Sequence, residues 1–180
     1  MKVYAITSKE KIEDCREYLR ATNMRDLIMF ELGLKTLLRI SDILELRVKD
    51  VYKRTTIKKR IKKTKKYVEI PIRKDLKKLL DEYCEGKPKN EYLIKSRQGY
   101  NRPISSTQAY RILKRLEKYL RLDKVGTHTL RKTGAYHMFK ETKDVEFIRR
   151  MLGHKSEDEV YAYIYSGLRD DRDLINKARF

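Results

Sequence analysis

Six polar residues scattered along the chain have the types needed to handle a phosphodiester: Arg39, Lys63, His128, Arg131, His154 and Tyr163. Two arginines, a lysine and two imidazoles can neutralise a phosphate and move protons around it, and a phenolic oxygen can hold the phosphorus as a covalent ester. His128 and Arg131 are three residues apart, which on a helix puts both side chains on one face near the N-terminus, where the helix adds its own positive field. Tyr163 stands nine positions after His154. Each piece alone has a plainer reading. A His-x-x-Arg pair also arises from a capping histidine beside a surface arginine, His154 after a glycine fits a helix end, and a lysine run is usually a solvated face.

The composition supplies a context for that chemistry. The 45 Lys and Arg against 26 Asp and Glu leave a net charge of +19, which calls for a polyanionic partner. Charge alone leaves DNA, a ribosomal-type RNA, an anionic membrane surface or no partner at all. No apolar run is long enough to span a bilayer and no lipidation signal stands at either end, so no membrane role is expected. Cys15 and Cys84 lie far apart and fit neither a zinc nor a redox motif, and no apolar export segment is present; a reducing cytoplasm and inert, packed thiols are the expectation.

The elements that must position the six residues read as mainly α-helix with one small antiparallel β-sheet (α+β). Interrupted apolar spacing predicts helices over 9–19 and 25–37, and Ser41 is placed to cap a short helix through 46, leaving Arg39 in the turn between two helices. Thr55, Thr56 and Ile57, then Val68, Ile70 and Ile72 alternating with polar neighbours, predict a hairpin ending at Pro71. Its turn, 58–66, holds seven basic residues out of nine: Lys58, Lys59, Arg60, Lys62, Lys63, Lys65 and Lys66. Such a density repels itself unless it is solvated or laid against phosphates. Further helices are expected over 75–84, 106–122, 128–140 with Thr127 as cap, 145–152, 158–165 and 171–178. The 106–122 segment carries Ala109, Ile112, Leu113, Leu116 and Leu120 on one face and basic residues on the rest. The length suits a single domain.

The stretch from Thr127 to Ala135, then Met151, Leu152, Gly153 and His154, then Tyr163, resembles the tyrosine recombinase, or phage integrase, family. Leu38 to Ile43, with Asp42 three positions after Arg39, looks like that family's first arginine motif. Lys63, Thr64 and Lys65, with Pro71 eight positions beyond Lys63, look like its lysine hairpin, and Pro103, Ile104 and Ser105 like the lead-in to its second arginine box. The resemblance covers nearly the whole chain in the family's order. It implies a compact, mainly helical catalytic domain that cuts and rejoins double-stranded DNA through a 3′-phosphotyrosyl intermediate, with no metal, ATP or other cofactor. It further implies that Arg39 and Arg131 hold the nonbridging oxygens, Lys63 protonates the departing 5′-hydroxyl, His128 assists proton transfer at the tyrosine, His154 hydrogen-bonds the phosphate and Tyr163 attacks. Asp42 would orient a basic residue of the site from behind. Lys58, Lys59, Arg60, Lys62, Lys65, Lys66 and Lys132 would contact DNA.

Two neighbouring tyrosines, Tyr161 and Tyr165, compete for the nucleophile's place, and only the spacing to His154 selects Tyr163. The family often has Gly at the position of Leu37 and His at that of Lys132. Its members usually carry a helical DNA-clamp domain before the catalytic one; here the motifs begin within the first 40 residues, so residues 1–180 read as the catalytic domain alone, either a fragment or a minimal form. Weak, strongly salt-dependent DNA binding is then expected. The segment 168–180, with sparse apolar residues, either packs on its own domain or, as the corresponding tail of relatives often does, docks on a neighbouring subunit, which implies self-association in a synaptic tetramer on DNA. The competing readings are a noncatalytic DNA-binding regulator on the same fold, a type IB topoisomerase-like enzyme and a plain RNA binder.

Overall fold

The computed structural model describes residues 3–61 and 67–168. Lys62, Lys63, Lys65 and Lys66, together with the helix expected over 171–178, lie outside the described residues. Helix α1 spans Lys9–Thr22, capped by the Ser8 hydroxyl, and α2 spans Met24–Thr36, with Asn23 ending one helix and capping the next. Leu27, Ile28, Met29, Phe30 and Leu32 are all buried, so α2 is apolar around its circumference and forms the centre on which the rest packs. Two short helices follow, α3 at Ile40–Ile43 and α4 at Val48–Val51. The hairpin pairs β1, Thr56–Arg60, with β2, Tyr67–Pro71, antiparallel and in register Thr56 to Pro71. Helix α5 is Lys74–Cys84, α6 is Ser106–Tyr119, α7 is Thr129–Thr142, α8 is Val145–Leu152 and α9 is Glu157–Tyr165. No helix among the described residues is long and apolar enough to cross a membrane.

The crossing of α2 and α7 decides where the site lies. Gly33 of α2 faces Leu130 of α7, and Gly134 of α7 faces α2 so closely that a Cβ there would stand 2.1 Å from the Leu34 carbonyl oxygen. Two hydrogens in place of side chains let the helix backbones touch. The helices α8 and α9 then build a smaller apolar cluster of their own, in which Val145, Ile148, Leu152, Val160 and Ile164 pack with Leu37 and Ala135. The seam between this cluster and the main core runs beside Leu37, at the end of α2.

Several boundaries differ from the sequence expectation, each for a local reason. Ser41 does not cap α3: Asp42 and Ile43 donate their N–H groups to the Arg39 carbonyl, so Arg39 is the N-cap and Ser41 sits inside the turn. Helix α4 was not expected; its start is held by the Arg47 N–H donating to Asp50 Oδ2 at 2.8 Å. Lys58, Lys59 and Arg60 belong to β1 and not to the turn, because the ladder continues to the Arg60–Tyr67 pair. Helix α7 begins at Thr129, whose hydroxyl accepts from the Gly126 N–H at 3.0 Å, which leaves Thr127 and His128 in the approach to the helix. Helix α6 ends at Tyr119, short of 122, and α9 begins at Glu157 under the Ser156 cap.

Candidate active site

Arg131 is the centre of the site. Its side chain is only 4% exposed, and its two terminal nitrogens donate to the backbone carbonyls of Leu37 and of Leu152, the latter at 2.6 Å. One guanidinium thus ties the end of α2 to the end of α8 across the seam. The Leu37 carbonyl is available because Leu37 takes a left-handed conformation, φ 54°, and closes α2 there. That conformation favours glycine, which fits the expectation that the family often has Gly at this position. Leu37 tolerates it as a fully buried member of the smaller apolar cluster. Burial pushes the Arg131 pKa down to about 10; neighbouring Tyr163 and Asp42 pull it back up, and Arg39 opposes them. Asp42 is fully buried on α3, and its carboxylate charge acts on Arg131.

Gly153 ends α8 at φ 67°, and the His154 N–H returns to the Arg149 carbonyl at 3.1 Å, so the chain turns sharply and brings His154 towards α9. The His154 ring meets the Tyr163 ring edge-on, centroids 5.2 Å apart at 80°. His154 Nδ1 and the Tyr163 hydroxyl are both buried without a hydrogen bond among the described residues. The Arg131 guanidinium is nonetheless close enough to Tyr163 for its charge to act on the phenol. Burial raises the Tyr163 pKa, against the pull of Arg131 and Arg39. Burial likewise lowers that of His154, helped by the positive charge of Arg131. The competitors of Tyr163 are placed otherwise: Tyr161 packs edge-on against Phe139 at 5.7 Å, and Tyr165 is 60% exposed.

Arg39 is half-buried and its charge reaches Arg131, His154 and Tyr163 alike. It also borders a recess of about 150 Å³ shared with Ser41, Ser106, Thr127 and His128. His128, exposed at the start of α7, therefore joins the group through that recess. Of the six candidate residues, Arg39, Arg131, His154 and Tyr163 come together, His128 shares a recess with Arg39, and Lys63 lies outside the described residues. Among the expected DNA contacts, Lys58 pairs with Glu69 across the hairpin at 3.0 Å, and Lys59 is mostly covered with its ammonium 3.9 Å from Glu45. Lys132 donates to the Val3 carbonyl at 3.3 Å and to the Ser166 carbonyl and hydroxyl at 3.1 Å each. It straps α7 to the end of α9 with its ammonium 5.7 Å over the Tyr163 ring. These contacts were not legible from its place beside Arg131. Among the described residues no cluster of His, Cys, Asp and Glu is arranged to hold a metal ion.

The model of the phage integrase family matches residues 6–168. The chain belongs to this family. A probable integrase/recombinase of Bacillus subtilis is 43% identical over 90% of this chain and 89% of its own length. A tyrosine recombinase of Pseudothermotoga lettingae is 28% identical over 86% of this chain and 54% of its own, so the chain spans about half the length of that second recombinase. Among solved structures, a lambda integrase dimer bound to a COC′ core site superposes with a TM-score of 0.75 at 22% identity, over 94% of this chain and 62% of that one. Lambda integrase also forms a tetramer bound to a Holliday junction. The likeness covers the mainly helical fold with its two-stranded sheet.

Proposed function

We propose that this chain is the catalytic domain of a tyrosine-type site-specific recombinase that breaks and rejoins double-stranded DNA. The observation that carries the reading is the Tyr163 phenol buried beside the Arg131 guanidinium, in the field of Arg39, with the edge of His154 against its ring. Tyr163 Oη attacks the scissile phosphorus and the bond to the 5′-oxygen breaks, leaving a 3′-phosphotyrosine. The phenolic proton leaves with help from His128, and Lys63 gives one to the departing 5′-oxygen, which leaves as a hydroxyl. Arg39 and Arg131 bear on the nonbridging oxygens, where charge grows in the transition state, and a pre-set guanidinium needs little reorganisation. His154 Nδ1 and Tyr163 Oη are buried with no well-formed hydrogen bond among the described residues, and a phosphate oxygen would take up that capacity. One ester replaces another, so attack by a 5′-hydroxyl reverses the step.

The partners follow from the same reading: double-stranded DNA, and further copies of the chain assembled as a synaptic tetramer, with the C-terminal segment as the docking element. A reducing cytoplasmic setting suits Cys15 and Cys84, both free and buried, whose pKa values burial raises to about 12 and about 11.

A nicked suicide duplex, from which the short cut strand diffuses away, tests the proposal. Wild type should form a denaturation-resistant protein–DNA adduct; Tyr163→Phe should form none, while Tyr161→Phe and Tyr165→Phe keep it. An adduct that survives in Tyr163→Phe would overturn the assignment of the nucleophile.

A further inference from the structure

The Tyr163 hydroxyl is buried with no well-formed hydrogen bond among the described residues, so the place of its oxygen is set by the helix that carries it. That helix, α9, is nine residues long and bears Tyr163 in its last turn. The last carbonyls of a helix need donors from elsewhere, and a cation there also favours the helix dipole. Helix α9 has three acidic residues in its first turn, Glu157, Asp158 and Glu159, but no basic residue in its last. The cation comes from another helix. Lys132 of α7 donates to the carbonyl and to the hydroxyl of Ser166, each at 3.1 Å, and Ser166 is the C-cap of α9. The Ser166 hydroxyl in turn donates to the Tyr163 carbonyl at 2.9 Å. Two hydrogen bonds thus lead from the ammonium to the backbone of Tyr163, while the same ammonium stands 5.7 Å from the centroid of its ring, within range of cation–π attraction.

The surroundings are shaped to this contact. Gly167 is buried against the lysine stem: a Cβ there would stand 3.1 Å from Lys132 Cδ and 3.3 Å from its Cβ, so a side chain would press the lysine away. A third acceptor, the Val3 carbonyl, lies 3.3 Å from the ammonium. The residues after Val3 join the same elements. The Ala5 N–H donates to the Gly167 carbonyl at 2.6 Å, the Ile6 N–H donates to Thr133 Oγ1 at 2.9 Å, and His137 Nε2 is 2.9 Å from the Ile6 carbonyl oxygen. Residues 3–6 therefore bridge the end of α9 to α7, and Lys132 is the crosspiece. Because Arg131 precedes it on α7, the nucleophile's helix is fastened to the same helix that holds the guanidinium.

Resting on the recombinase reading above, we infer that Lys132 is a positioning residue for the cleavage step: through Ser166 it holds the backbone of Tyr163 at a fixed place relative to Arg131, so that the phenol oxygen lies in line for attack. It acts on the tyrosine and not on the phosphate or the leaving group. Its effect therefore falls on the rate of attack once DNA is bound, and not on how tightly DNA is held. A misplacement of about 1 Å in a reacting group can cost about 100-fold in rate.

The experiment measures single-turnover adduct formation on the nicked suicide duplex at saturating DNA, beside DNA affinity over a series of salt concentrations. Lys132→Met keeps the stem and removes the ammonium; the rate should fall by about 10-fold or more, with the slope of log K against log salt as in wild type. Lys140→Met, at an exposed lysine of the same helix, removes the same charge and should leave the rate unaltered. Ser166→Ala breaks the middle of the relay, so the double variant Lys132→Met/Ser166→Ala should be slower than Lys132→Met by a smaller factor than Ser166→Ala is slower than wild type. On a duplex with a 5′-bridging sulfur at the cut, whose thiolate departs without a proton, the Lys132→Met defect should persist.

A wild-type rate in Lys132→Met overturns the inference. So does a salt slope reduced by about 0.9 with the saturated rate intact, which would make Lys132 a phosphate contact. A defect erased by the bridging sulfur would make it the acid for the leaving group, and falls that multiply in the double variant would make the two residues independent; either result overturns it. A urea unfolding series on each variant guards the reading of the rates: a loss of rate matched by the unfolded fraction under the assay conditions would make the role structural and overturn it too. The wild-type adduct separates the two levels. An adduct in wild type with an unaffected Lys132→Met sinks the positioning role alone, whereas no adduct in wild type sinks the recombinase reading with it.

Discussion

Arg131 and three arginines that line an open groove beside α6, Arg97, Arg102 and Arg111, carry the same guanidinium in opposite settings. Arg131 is almost fully buried, its terminal nitrogens donate to the carbonyls of Leu37 and Leu152, and its charge is desolvated beside the Tyr163 phenol. Arg97, Arg102 and Arg111 stand in solvent on a loop and a helix flank. A guanidinium held by backbone carbonyls in a site from which water is largely excluded is suited to one phosphate in one geometry, and salt screens it little. An exposed guanidinium attracts any phosphate that passes, and salt weakens it. The candidate active site depends on helix packing that has already fixed its cation; the groove depends on charge density alone. Removing an arginine should therefore mean different things in the two regions.

The largest effect belongs to Arg131→Ala. It leaves two buried carbonyls unsatisfied, which should cost about 1–3 kcal/mol each in a urea unfolding series, and it should lower single-turnover cleavage by at least about 100-fold. Arg97→Ala should stay within about 0.5 kcal/mol of wild type in the same unfolding series. Equal stability losses for the two variants would erase the contrast.

Next comes Gly134→Ala, which touches no candidate catalytic residue. The new methyl meets the Leu34 carbonyl and the Leu37 side chain, so α7 must move off α2. A loss of about 1–3 kcal/mol and a drop in cleavage, with the salt slope of DNA binding unaltered, would show that the crossing sets Arg131 and not the surface charge.

The smallest concerns His154. Its folded pKa lies below the ordinary 6.5, so as pH falls the unfolded chain takes up the proton first. Stability should be full above 6.5 and decline in the window just beneath it. A thermal midpoint that falls with pH across that window in wild type, and less in His154→Gln, is expected; the same fall in both would place the titration elsewhere.

Much of this was legible in the residues themselves. Helices α1, α2, α5 and α8 lie close to where the apolar spacing put them, because each buries one stripe or, for α2, every face. The expectations that moved were the ones that depend on where hydrogen bonds go. Thr129, two positions inward from the expected cap Thr127, satisfies Gly126, and Arg39 takes the cap that Ser41 was expected to fill. The ladder running on to Arg60 could not be read through a run of lysines whose propensity for strand is low. Lys132 stands next to Arg131 in the chain, but consecutive helical positions point in different directions, and its ammonium donates to Ser166, a contact that spacing alone does not show.

By itself, the sequence determined the chemistry on offer: a phenol, two imidazoles and a surplus of cations in the order of a family, on a mainly helical frame. Type and spacing are local properties and survive without the fold. The tertiary structure decided which cations are committed and which are spare. It put Arg131 on two carbonyls at the seam of two cores, closed Tyr163 against it rather than Tyr161 or Tyr165, and left three exposed arginines around a groove with no carboxylate partner among the described residues. Those outcomes depend on contacts between residues as far apart as 37 and 131, and the α2–α7 crossing that produces them is set by how closely two helix backbones can approach.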